Sequence, residues 1–171
     1  MLILKTVAKI HVLSFIEDIT DTKLSSMEDK IHKGFYWEDF NKPKIIYPNM
    51  TKYMPFVYDG NAFLTNQKCF IITGQSMAYL TAFFNSSLFK FCFRESFPEL
   101  QGGTREMSKI FFDKIPVLQV TNEINAKFKS SVDDIQSDYN KSKAIAIDAM
   151  IFDLYNLSEK ERQVIGFAEI V

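Results

Sequence analysis

At 171 residues, 47% hydrophobic and 24% charged, the chain has the size and composition of one globular domain with a helical appendage, and 17 phenylalanines against a single tryptophan mean that aromatic packing should dominate its core. The net charge of −1 argues neither for nor against a polyanionic partner, while Cys69 and Cys92, both inside apolar runs, argue against a disulfide and for a reducing compartment. Lys5, Lys9 and His11 break the apolar opening well short of the ~20 residues of a membrane helix, and no signal-peptide pattern is present, so a cytoplasmic protein without membrane contact is expected.

In chain order, Val7, Ile10 and Val12 alternate in part and suggest a first strand over Thr6 to Val12, and Leu24 to Ile31 is short, charged and helix-like. Gly34 to Phe40 crowds four aromatics before a turn. In Lys42-Pro43-Lys44-Ile45-Ile46-Tyr47-Pro48 each proline pushes its predecessor toward extended geometry, which predicts a short strand. Phe56 to Tyr58 and Ala62 to Leu64 flank Asp59-Gly60-Asn61, a hairpin signal. Cys69 to Ile72, an unbroken apolar run bounded by Gly74, reads as a strand buried on both faces. Ser76 then caps a helix in which Met77, Leu80, Phe84, Leu88 and Phe91 recur at spacings of three and four, and Asn85-Ser86-Ser87 marks a break where a second segment is capped.

Glu95 to Ser108, with Pro98, Gly102 and Gly103, reads as a loop able to bring backbone close to a ligand. Ile110 to Phe112 and Ile115 to Val117 look like a closing turn and strand. Thr121 opens a long helix with Ile124, Phe128, Val132, Ile135 and Tyr139 on one face, and a second helix from Ala144 turns Ile147, Ile151 and Leu154 inward. Ser158-Glu159-Lys160-Glu161 has capping-box spacing and predicts a last helix carrying Val164, Ile165 and Ala168. The sum is an α+β protein. Residues 1–120 form a small, twisted, mostly antiparallel sheet packed against helices, and residues 121–171 form a helical segment that packs on this domain or on a partner.

Catalytic patterns are missing from this reading. His11 and His32 stand in no nucleophile motif, and the two separated cysteines lack zinc-ligand spacing. Gln101-Gly102-Gly103-Thr104 follows no strand and lacks the Lys-Ser or Lys-Thr of a phosphate cradle. Asp21 with Glu28, Asp29 and Lys30 has the residue types of a magnesium nuclease, but its surroundings read as an exposed helix rather than a buried strand. No metal or cofactor is expected in this chain, which reads as a non-catalytic unit. Its charge is uneven: between Asn41 and Ile115 nine Lys and Arg face five acids, whereas from Thr121 onward six face nine. A polyanion would meet the basic middle rather than the acidic tail.

Three pieces in order carry a family resemblance: Trp37 with Lys42-Pro43-Lys44-Ile45-Ile46-Tyr47-Pro48, then Ile72-Thr73-Gly74 with the run Leu80 to Phe91, then Ile115-Pro116-Val117. Together they resemble the TaqI-like specificity domain of type IIG restriction and modification enzymes. The run Ala146 to Glu159 is similar to the helical ending those proteins often carry, so the resemblance spans roughly Phe35 to Ile165. It implies a target recognition module that reads double-stranded DNA for an adenine-specific DNA methyltransferase, often with an endonuclease on the same polypeptide. No Asn-Pro-Pro-Tyr type motif is present, so the chemistry, with its S-adenosylmethionine and magnesium, is expected on a missing N-terminal region or a separate subunit.

Under this resemblance the DNA face is expected at Lys52, Tyr53, Lys68, Gln101, Thr104, Arg105 and Lys109. Arg105 and Gln101 would read bases, since Arg pairs bidentately with guanine and Gln with adenine, and Lys52, Lys68 and Lys109 would hold phosphates. The alternatives are a protein interaction fragment without DNA binding and, less favoured, a small metal-dependent nuclease.

Overall fold

The computed structural model describes residues 11–13, 37–66 and 68–167. The readings at Thr6 to Ile10, at Leu24 to Ile31, at His32 and at the Asp21, Glu28, Asp29 and Lys30 set lie outside them. The fold is α+β. Strands β1 (His11–Leu13), β2 (Lys44–Pro48), β4 (Val57–Asp59) and β5 (Cys69–Thr73) form a four-stranded antiparallel sheet in the order β1-β5-β2-β4. A second, two-stranded sheet pairs β3 (Met50–Thr51) with β6 (Arg105–Glu106). A one-turn helix α1 (Trp37–Phe40) precedes β2.

The apolar run of β5 lies inside the sheet, where Ile72 is paired with Ile45 of β2 and both are fully buried. Helices α2 (Met77–Asn85) and α3 (Ser87–Phe93) follow, and the break between them falls where the sequence places it. Ser86 is extended there and its hydroxyl accepts from the Phe89 amide, 3.2 Å away. The expected cap at the start of α2 differs. Ser76 sits at φ +56° and its side chain makes no capping bond; the Tyr79 amide instead donates to the Asn125 side-chain carbonyl at 3.1 Å. A distant helix thus satisfies an amide that a local serine does not.

Two further expectations are corrected. The Asp-Gly signal produces a turn but no hairpin, because the Asp59 carboxylate accepts from the amides of Asn61 (2.9 Å) and Phe63 (3.1 Å) and the chain leaves the sheet; β4 pairs with β2, and Ala62 to Leu64 are exposed. Ile115 to Val117 form no strand. Ile115 and Val117 are buried core residues following the one-turn helix α4 (Lys109–Phe112).

Aromatic packing dominates as expected. Phe56, Phe84, Phe89, Phe97 and Phe112 form a continuous set of tilted and edge-on contacts with centroids 5.0 to 6.2 Å apart. Tyr47 joins it through Phe56, Phe70 and Phe112, at 5.5, 5.5 and 5.1 Å. Its hydroxyl is buried without a hydrogen-bond partner among the described residues, and burial pushes its pKa far above the usual phenol value. Tyr47→Phe should therefore stabilise the fold by ~1 kcal/mol, seen as a higher urea midpoint at unchanged slope. A lower midpoint would mean that the hydroxyl has a partner after all.

Helices α5 (Asn122–Ser137), α6 (Lys141–Leu154) and α7 (Glu159–Ile165) close the chain. Thr121 caps α5, and Ser158 with Glu161 forms the predicted capping box of α7. Helix α6 starts before Ala144 because the Asn140 side chain accepts from the Ser142 amide at 2.8 Å. Phe128 and Val132 of α5 are buried in the same core as the sheet, with Phe128 5.5 Å from Tyr79, whereas Tyr139 lies past the helix end and is exposed. Gln136 donates to the Tyr58 carbonyl (2.9 Å) and accepts from the Tyr58 amide (2.7 Å). From α6, buried Asp148 accepts from the Ser87 amide at 2.9 Å and the Ser87 hydroxyl at 2.5 Å. Tyr155 stacks on Phe83 and shares a 3.0 Å hydroxyl contact with Tyr79.

Candidate nucleic-acid interface

The β2–β5 ladder ends at Pro48 and Cys69, and the next residue, Asn49, ties three loops together. Its amide donates to the Lys68 carbonyl and its carbonyl accepts from the Met107 amide, both at 2.9 Å. Immediately beyond it, Met50 pairs with Glu106 and Thr51 with Arg105. The loop after β3, the turn before β5 and the glycine loop before β6 therefore meet at one end of the sheet. The sequence-predicted residues belong to these segments and to the helix that follows β6.

Each loop is fixed internally. The Thr51 hydroxyl accepts from the amides of Tyr53 (3.1 Å) and Met54 (3.2 Å), and Met54 takes φ +52° while its side chain is buried. Tyr53, between these anchors, is 65% exposed, and the Lys52 ammonium lies 5.9 Å from its ring centroid. In the glycine loop the Leu100 amide donates to the Thr104 carbonyl at 2.7 Å and the Thr104 hydroxyl to the Gln101 carbonyl at 3.0 Å. Gly102 and Gly103 both adopt φ near +77° and have open space where a Cβ would sit, so glycine serves backbone conformation there rather than close packing.

Lys52, Tyr53, Lys68, Gln101 and Lys109 are exposed, and Thr104 is half-buried. None of the three lysines is in an ion pair among the described residues. Arg105 is different. It is only 4% exposed, and its guanidinium donates to the Phe97 carbonyl at 2.8 Å, to Glu95 at 2.9 Å and to Glu99 at 3.0 Å. Its Nε is buried without a partner among the described residues. The sequence expectation makes Arg105 a reader of guanine; in this placement both terminal nitrogens are engaged in holding the loop from Glu95 to Arg105 in shape. Sequence reasoning also missed Met50 and Leu100, which add exposed apolar surface to the same segments.

The opposite end of β2 holds another cation of a different kind. Lys44 is fully buried, and its ammonium donates to the carbonyls of Phe40 and Asn61, both at 2.7 Å, and pairs with Asp59 at 2.5 Å. Burial would raise the Asp59 pKa, but Lys44 and the amides of Asn61 and Phe63 outweigh it and hold the carboxyl below its usual range. This cation is structural. The C-terminal helices present acids instead, some paired with Lys127, Lys129, Lys143 and Arg162.

Two cavities are of other character. One of about 440 Å³ lies between α3 and α7 and is walled mainly by apolar residues such as Leu88, Phe91, Tyr155 and Val164. The other, of about 230 Å³, lies between the α2–α3 and α5–α6 pairs. Burial raises the Cys92 thiol pKa at the first and lowers that of Lys90 at the second, the latter opposed by nearby Asp148. Among the described residues no group of three His, Cys, Asp or Glu is placed to hold a metal ion, and no helix is long and apolar enough to cross a membrane.

The family model of the TaqI-like C-terminal specificity domain matches residues 11–117, more than half of the chain. The matched region contains both sheets and all three converging loops, while α5 to α7 lie beyond it. Comparison with curated proteins gives no match.

Proposed function

The chain belongs to the family of TaqI-like C-terminal specificity domains, modules that recognise DNA sequence in restriction-modification systems, and from that premise we propose that the end of the sheet around Asn49 is its DNA-reading face. The observation that carries this reading is the convergence there of three internally fixed loops, with Lys52 and Lys68 on two of them and Lys109 opening helix α4 after β6, lysines outside any ion pair among the described residues. Unpaired ammonium groups on fixed backbone suit phosphates, whose neutralisation releases counterions. Gln101, exposed beside Gly102, is the base reader, since its amide can both donate to and accept from an adenine edge. Thr104 and Arg105 act on the loop itself: Thr104 closes it through the Gln101 carbonyl and Arg105 clamps its flank.

The reading module directs an adenine methyltransferase, with or without an endonuclease, to double-stranded target DNA. S-adenosylmethionine and magnesium belong to that linked catalytic module, of the type IIG arrangement, in the cytoplasm. The family match supports association with such a module, and the region from Thr121 onward, with nine acids against six Lys and Arg, is ill suited by charge to hold phosphates.

Salt titration of duplex binding tests the proposal. Joint replacement of Lys52, Lys68 and Lys109 by alanine should make the slope of log K against log salt shallower by about 3, with weaker binding at low salt and unchanged thermal stability. An unchanged slope would move the phosphate contacts elsewhere. Failure of the unaltered chain to bind duplex DNA even at low salt would favour a protein interaction fragment.

A further inference from the structure

Most rings among the described residues are enclosed, whereas Tyr53 is 65% exposed on a turn anchored on both sides. Thr51 is fixed by its pairing with Arg105, its hydroxyl holds the amides of Tyr53 and Met54, and Met54 is buried at φ +52°. A long, unbranched side chain in the left-handed region persists only where the surroundings over-determine it. Burial of the Met54 side chain accompanies this conformation, while the preceding ring lies outside. Met50, at the start of β3 just before this turn, is also exposed.

Other exposed aromatics lack this setting. Phe63 lies in the turn closed by Asp59, and Tyr139 follows the acidic end of α5 near Asp134 and Asp138. Tyr53 has a lysine outside any ion pair among the described residues beside it, with the Lys52 ammonium 5.9 Å from its ring centroid. A flat, exposed ring matches the face of a nucleobase, and the cation over the ring can meet the adjoining phosphate.

We propose that Tyr53, assisted by Met50, is a stacking wedge that enters an opened base step of bound duplex DNA. The proposal rests on the DNA-reading assignment above and adds deformation of the duplex to it. An apolar or aromatic wedge replaces lost base stacking with its own surface, and the unstacking it must overcome is smallest where a base is already missing.

The experiment uses the full chain with two short duplexes of one fixed sequence, one intact and one carrying a single abasic site, titrated at low salt. The unaltered protein should prefer the abasic duplex by about tenfold, the scale of one base–aromatic stack. Tyr53→Phe should keep that preference, and Tyr53→Ala should bring the two duplexes to equal affinity. If the unaltered protein binds both duplexes equally, or if Tyr53→Ala keeps the preference, the wedge is overturned while DNA reading stands. If neither duplex is bound, the DNA-reading assignment fails, and the wedge with it.

Discussion

Lys44→Met should destabilise the protein by ~3–5 kcal/mol at neutral pH, a large share of the stability of a domain this size. Methionine keeps the length and apolar stem of the side chain, so the loss isolates the ammonium. Lys44 donates to two carbonyls and pairs with a carboxylate whose side chain is only 11% exposed. Without it, the carbonyls of Phe40 and Asn61 lose their donor, and Asp59 is left as a largely buried charge held by two amides alone. Replacing Asp59 by Asn in the Lys44→Met background should recover part of the loss, since no unpaired charge then remains.

The pH dependence follows from the depressed Asp59 pKa. A carboxyl whose folded pKa lies below its unfolded value contributes stability that is present above the unfolded value and lost as pH falls through the folded one. The gap between the unaltered protein and Lys44→Met should therefore narrow on acidification below about pH 4. Urea unfolding at neutral and acid pH measures both quantities, and a gap independent of pH would separate Lys44 from Asp59.

Arg105→Ala is the second large effect, ~2–3 kcal/mol of stability, because the Phe97 carbonyl loses a charged donor and Glu95 and Glu99 lose the cation that holds them together. Binding to a panel of duplexes should weaken by a similar factor for every sequence, as expected when a loop loses its shape. Arg105→Lys should rescue little, since one ammonium cannot reproduce the planar fork that meets a carbonyl and two carboxylates. Relaxed discrimination confined to one base pair would restore Arg105 as a base reader.

How much of this was legible depended on whether the cause was local. The run from Cys69 to Phe93 declared itself because an unbroken apolar strand, a helical stripe and a serine break are all short-range patterns. Ser158 to Glu161 was readable for the same reason. Lys44 was not: Lys-Pro-Lys reads as solvated until Asp59 and Asn61, from the far end of β4, come round to enclose it. Asp59-Gly60-Asn61 misled in a related way, since one carboxylate serves Asn61, Phe63 and Lys44 at once and so closes a turn rather than a hairpin. The loops of the candidate interface were found one by one, but Asn49, which joins them, carries no side-chain signal because its two linking bonds are made by backbone. Arg105 has the residue type of a reader, and only its enclosure by Phe97, Glu95 and Glu99 reveals a brace.

The paired bonds between Gln136 and Tyr58 bear on how the protein behaves at high concentration. Strand β4 is one of the two outer strands of the four, and Tyr58 is its middle residue. An unpaired outer strand is a template for the backbone of a neighbouring molecule. The primary amide of Gln136 offers one donor and one acceptor in the manner of a peptide group and occupies both backbone positions of Tyr58. A three-residue strand so occupied at its centre has no stretch long enough to seed intermolecular ladder growth, and α5 thereby guards this side of the sheet against fibrillar self-association.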